Sequence, residues 1–172
     1  WSSLSPKQQI DALARPVMDN SAELAGIVGD IIEQVDTNGD KALQQLTATF
    51  DGVQLSTLQY SSERIQAAQS TLSDSRKLAI ETAYQQIYRF HSAQQSDDVT
   101  VETMPGVVCS LRTAPIDSVG LYIPAGSAPL PSTVLMLGVP AKIAGCRRVA
   151  LTCPPAQDGT ICAEILYAAR LC

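Results

Sequence analysis

The stretch Ser118–Ser132, reading Ser-Val-Gly-Leu-Tyr-Ile-Pro-Ala-Gly-Ser-Ala-Pro-Leu-Pro-Ser, constrains the fold more than any other part of this chain. Val119, Leu121, Tyr122 and Ile123 make a short apolar run closed by Pro124, the pattern of a strand covered on both faces. The residues after it cannot extend a hydrogen-bonded ladder, because Pro124, Pro129 and Pro131 have no N–H to offer, while Gly126 lets backbone come close to a partner. A strand that stops at such a loop just before a helix puts the loop at the carboxyl edge of a parallel sheet. That is where α/β proteins bind nucleotides and substrates.

Beyond the loop the α/β pattern continues. Thr133–Gly138 reads as a short helix, apolar nearly all round and therefore buried; Pro140 restarts it as the first residue of another turn, and Gly145 ends it. Val149–Cys153 is a second strand, Pro154–Gly159 a loop, and Ile161–Leu171 a final helix with Ile165, Leu166 and Ala169 on its inner side. Strand, helix, strand, helix is one right-handed βαβ unit and the helix after it. It is the beginning of a doubly wound sheet with too few strands to be complete.

The chain ahead of this unit is helical and more polar. Residues 1–18 form a short amphipathic arm, with Ser5-Pro6 as its helix start and Ile10, Leu13 and Val17 on one side. Asn20 with Glu23 caps a helix whose Leu24, Ile27, Val28, Ile31, Ile32 and Val35 share a face. Asn38-Gly39 stops it, and Asp40 opens a second helix with a core-facing stripe of Leu43, Leu46 and Phe50. Asp36, Asn38 and Asp40 have the spacing of the first three ligands of a calcium loop. Glycine falls at the fourth position, not the sixth, and Thr47 stands where a bidentate Glu is needed, so this is a helix-to-helix turn.

Ser61 or Ser62 caps a helix carrying Ile65, Ala68 and Leu72, and a longer helix from about Ser73 to Ala93 presents Ile80, Tyr84, Ile87 and His91 as a stripe. His91, the only histidine, continues that apolar face and has no Cys or carboxylate at ligand spacing, which makes it a packing residue. Val99, Val101 and Met104 alternate with polar residues up to Pro105-Gly106. Val107, Val108, Cys109 and Leu111 return, giving a β-hairpin. Cys109 has no base near it in sequence and is read as packing rather than as a nucleophile.

Composition narrows the function classes. With 172 residues, 45% hydrophobic and 17% charged, the chain has material for a real core. A net charge of -5 with scattered Lys and Arg argues against a nucleic-acid partner. No run of eighteen apolar residues and no basic start leading into an apolar segment suggests a membrane partner or a signal peptide, so a cytoplasmic protein is the expectation. The five cysteines are odd in number and lack a CxxC pair; they are read as reduced, buried small hydrophobes. Trp1 and Cys172, at the two ends, look like cuts in a longer chain.

The residues carry a family resemblance. Val119–Leu137, then Pro140-Ala-Lys-Ile-Ala-Gly-Cys and Glu164-Ile-Leu-Tyr-Ala-Ala, closely resemble histidinol dehydrogenase. Gly39-Asp-Lys-Ala-Leu, Phe50-Asp, Phe90-His, Val101-Glu-Thr-Met-Pro-Gly-Val and Arg147-Arg-Val-Ala-Leu resemble further segments of that family in the same order. The fold implied is α/β: amino-terminal helices plus a β-hairpin leading into an incomplete Rossmann-like βαβα unit, within an aldehyde-dehydrogenase-like architecture. The implied division is an arm at 1–18, a helical segment with the hairpin at 19–117, and the start of a second, incomplete nucleotide-binding-like domain at 118–172.

The resemblance implies a homodimeric zinc enzyme that uses two NAD molecules in succession to oxidise L-histidinol, through the aldehyde, to L-histidine. In that reaction zinc holds the alcohol and amine, a histidine takes the hydroxyl proton, and hydride passes to the nicotinamide. The family's zinc ligands and proton-handling Glu and His have no counterparts here, so no catalytic or metal residue is assigned and the chain alone is expected to be inactive. Tyr122 matches the family tyrosine that contacts NAD, and Pro124, Gly126 and Ser127 belong to the same loop. Ala125 departs from the family's glycine, its methyl group restricting the backbone, and the loop from Pro155 to Ala163 is longer than the family pattern. Two other readings stay open: a nucleotide-binding module without catalysis, which needs a complete sheet, and an interaction protein, in which Tyr122 is fully packed.

Overall fold

The computed structural model describes residues 1–14, 21–125 and 128–172. The chain divides into two compact units, Trp1–Leu43 and Gln44–Cys172. In the first, α1 (Pro6–Leu13) starts as the Ser-Pro pair predicts: the Ser5 hydroxyl accepts from the Gln8 N–H while the Gln8 side chain accepts from the Ser5 N–H. Val17 and the Asn20 cap lie outside the described residues. Helix α2 (Ser21–Asn38) ends where expected, with Gly39 at φ 56° before α3 (Asp40–Phe50). The spacing of apolar residues dictates these helices, yet Leu24, Ile27, Val28 and Ile32 are exposed, and so is Phe50, expected in the core.

The second unit holds α3 from Gln44 onward, then α4 (Ser62–Ser70), α5 (Asp74–Ser92), β1 (Val99–Met104), β2 (Val107–Leu111), β3 (Ser118–Tyr122), α6 (Pro131–Ala144), β4 (Arg148–Thr152) and α7 (Ala163–Leu171). Ser61 and Ser73 cap their helices by accepting from the N–H groups of Arg64 and Arg76. The hairpin turns at Gly106, φ 79°, where the Glu102 carboxylate accepts the Gly106 N–H at 2.8 Å. Strands β3 and β4 pair in parallel, Val119 opposite Val149 and Leu121 opposite Leu151, with α6 as the crossover.

The core forms where α5, α6 and α7 meet one side of this two-stranded sheet. Ile80, Ile123, Val134, Leu135, Val139, Ile165 and Ala168 are its buried members, with Tyr84, Ile87 and Leu151 packed against them. The stripe expected on α5 therefore faces inward, and half-buried His91 at its end has Nδ1 2.6 Å from the Gln94 Oε1.

Further expectations change in this unit. Helix α6 is one continuous helix through Pro140, not two pieces, and ends at Gly145 with φ 83°. The lost hydrogen bond is tolerated because buried Val134, Leu135, Val139 and Ala141 clamp the helix on both sides of the proline. That helix is also only half buried, Met136 being 59% exposed. Strand β3 is covered on one face only, since α6 and α7 lie on one side of the sheet among the described residues. The cysteines are not a buried set: Cys109 is exposed on the uncovered hairpin and the other four are half-buried.

Candidate functional site

The site is built from the ends of β3 and β4. Tyr122 and Thr152 are the last residues of the two strands and stand opposite each other. One residue on, the Ile123 N–H donates to the Thr152 carbonyl at 2.9 Å, and the Ile123 side chain is wholly buried. The strand end is thus pinned by a hydrogen bond and by packing. Alternation along the strand turns Tyr122 to the other face, where it is 60% exposed. Ser118, Gly120, Arg148, Ala150 and Thr152 are likewise exposed, forming with Tyr122 an open sheet face.

A crevice of about 340 Å³ lies between the loops that leave the two strands, with Ala125, Ala128 and Pro129 on one wall and Cys153, Pro155, Thr160 and Cys162 on the other. Ala125 is half-buried and lines it; Pro124 is exposed, and Gly126 and Ser127 lie outside the described residues. Tyr122 is not among the lining residues. The structure therefore brings the loop and the β4–α7 connection together and leaves Tyr122 beside them on the open face.

Two helices begin at this edge. Neither α6 nor α7 has a side-chain cap at its N-terminus; α6 starts at Pro131, which has no N–H, with the Thr133 N–H donated to the Leu130 carbonyl, and the first turn of α7 carries the Glu164 carboxylate. The connection before α7 is ordered: Ala156 N–H donates to the Thr160 carbonyl and Gly159 N–H to the Ala156 carbonyl, both at 2.8 Å, with Gly159 at φ 73°. The Asp158 carboxylate accepts from both the Thr160 hydroxyl and N–H, which lowers its pKa. The loop is thus a built turn.

The titratable groups on the crevice are quiet. Burial, with Cys162 adding to it, pushes the Cys153 thiol up; burial and the hydrogen bond to Glu164 push Cys162 up. Cys162 Sγ donates to Glu164 Oε2 at 2.8 Å, and Arg76 donates to Glu164 Oε1 at 2.6 Å. The thiol bond first, and Arg76 after it, hold the Glu164 carboxyl below its ordinary value. Both thiols are thereby held more firmly in the protonated, less nucleophilic form. The Arg76–Glu164 link was not legible from the residues, since its partners lie 88 positions apart. Among the described residues no three His, Cys, Asp or Glu side chains form a metal-ligand set. The described residues therefore do not fit a zinc site.

A profile of histidinol dehydrogenase matches residues 13–172. The chain belongs to the histidinol dehydrogenase family. It is 58% identical over its whole length to the histidinol dehydrogenase of Colwellia psychrerythraea, covering 40% of that protein, and 52% identical to that of Vibrio cholerae, covering 39%. The crystal structure of histidinol dehydrogenase from Elizabethkingia anophelis superposes with a TM-score of 0.88 at 40% identity, over 98% of this chain and 39% of that one. The mixed α/β fold expected from the family resemblance is the fold of that relative. The chain spans about 40% of the length of the relatives it matches.

Proposed function

We propose that this chain supplies one wall of the NAD site of a histidinol dehydrogenase, an enzyme oxidising L-histidinol through L-histidinaldehyde to L-histidine in histidine biosynthesis. The observation that carries the reading is Tyr122: its backbone is pinned at a strand end by Ile123, while its ring stays 60% exposed beside a crevice. A tyrosine kept for packing is covered; one kept for a ligand is held still and left open. Two paired strands are also too few for a self-sufficient nucleotide-binding module.

The exposed phenol of Tyr122, standing at the carboxyl edge of a parallel sheet, where α/β proteins bind nucleotides, suits the dinucleotide. When bound it supplies the hydride acceptor. Tyr122 packs its ring against the cofactor and directs its hydroxyl to a polar group. Ala125 narrows the backbone approach that a glycine leaves open. The role of this segment is to bind and orient, with the residues from 118 onward forming its cofactor-facing part. Zinc, the acid–base residues, most substrate contacts and the homodimer interface belong to the fuller enzyme. A cytoplasmic location suits its five free thiols.

The test compares the purified 172-residue chain with the same chain joined to the remaining portion of a relative. The chain alone gives no histidinol-dependent NAD reduction; the joined protein does, and Tyr122→Ala in it raises KM for NAD by roughly tenfold. Histidinol oxidation by the 172-residue chain alone overturns the proposal, and so does an unchanged KM for NAD in the variant.

A further inference from the structure

A groove between α4 and α7 shares no lining residue with the crevice. Ser62, Ile65, Gln66 and Gln69 on one face of α4 meet Leu166, Ala169 and Arg170 of α7 around about 440 Å³, the size of a small-ligand site. Ile65, Leu166 and Ala169 make apolar walls, and the polar part is where Gln69 and Arg170 meet.

Gln69 is only 5% exposed. Its Oε1 accepts from Arg170 Nη1 at 2.6 Å, and its Nε2 has no partner among the described residues. Burying an amide that leaves its own donor unsatisfied costs stability, so the contact it does make, the hold on the guanidinium, is the part of this arrangement that has a use. A neutral amide orients the guanidinium without cancelling its charge, unlike the Glu164 that neutralises Arg76. Among the described residues no carboxylate lies within ion-pair distance of Arg170, and Glu81, on the neighbouring α5, is engaged by the Tyr167 hydroxyl. The groove thus presents an oriented, uncompensated cation beside an apolar wall.

We infer that this groove binds a small carboxylate with a short branched apolar body. The remaining N–H groups of Arg170 take the carboxylate, and Ile65, Leu166 and Ala169 cover the apolar body. Ser62 and Gln66 add donors at the rim.

The experiment titrates the isotope-labelled 172-residue chain with isovalerate and follows the Gln69 side-chain amide and the Arg170 Nε–H by NMR. Both move and saturate. Isoamyl alcohol, with the same apolar body and no charge, and isobutylamine, with the opposite charge, bind at least about tenfold more weakly. Arg170→Gln, at an exposed position, keeps the circular dichroism of the parent and loses about tenfold in isovalerate affinity. Ile65→Trp fills the groove and abolishes binding with Arg170 intact. Equal binding of acid and alcohol, or no loss in the Arg170 variant, overturns the inference. Movement of the same resonances with protein concentration in the absence of isovalerate overturns it too, since a second copy then occupies the groove.

Discussion

Tyr122 and Ile123 are neighbours with opposite duties, and substitution separates them. Tyr122→Phe and Tyr122→Ala leave the stability of the chain within about 0.5 kcal/mol, because the ring covers nothing in the core. Ile123→Ala costs about 2–5 kcal/mol, since a fully buried side chain at the hinge between strand and loop is cut away. Urea unfolding of the three variants checks both statements. Glu164 gives a pH-dependent counterpart. Its carboxyl is held below the ordinary value of 4.5 by the Cys162 thiol and Arg76, so the folded state prefers the ionised form. The stability this contributes is complete above that value and is lost as pH falls through the lowered folded one. Glu164→Gln is therefore less stable than the parent at neutral pH, with the gap closing below about pH 4.5 as the parent's Glu164 is protonated. Unfolding curves across the acid range show it, and a gap that stays constant contradicts the assignment.

Helix α6 is the element on which the βαβ unit turns, and its Gly138 packs against Cys172, the residue that follows α7. A Cβ added there sits 2.7 Å from the Cys172 Cβ and 2.8 Å from its sulfur, closer than packed atoms allow. Gly138→Ala is expected to cost about 1–3 kcal/mol by displacing Cys172 from α6. Adding Cys172→Gly removes both clashing atoms and restores part of the loss, a coupling that a double-mutant cycle measures. Pro140 lies two residues on, in the same buried stretch. Composition alone suggests a broken helix there, and only the packing of Val134, Leu135, Val139 and Ala141 shows why it holds.

At the scale of the molecule, the chain buries one side of its second unit well and leaves much apolar surface open. Leu78, Phe90, Val108, Leu111 and Ile116 are each more than 60% exposed, and Ile10 and Leu13 more than two-thirds. Surfaces of that kind drive association. The purified chain is expected to show a light-scattering mass that rises with concentration; a clean monomer at high concentration argues against this. The same exposure accounts for Cys109, which lies on an uncovered hairpin and should be the first of the five thiols alkylated by iodoacetamide, as peptide mass mapping will show.

The order of elements was legible in local chemistry: the Ser-Pro start of α1, the Asn38-Gly39 stop, the serine caps of α4 and α5, the Pro105-Gly106 turn and the strand–loop–helix at Ser118–Ser132 all act within a few residues of themselves. The loop at the carboxyl edge of the sheet was legible for the same reason. Which face of β3 is covered, that Pro140 leaves α6 whole, that Ala125 and Cys162 share a crevice, and that Gln69 holds Arg170 were decided only in three dimensions. Each depends on partners far apart along the chain. Periodicity says that a residue has an apolar face to bury, and only tertiary packing says whether anything arrives to bury it.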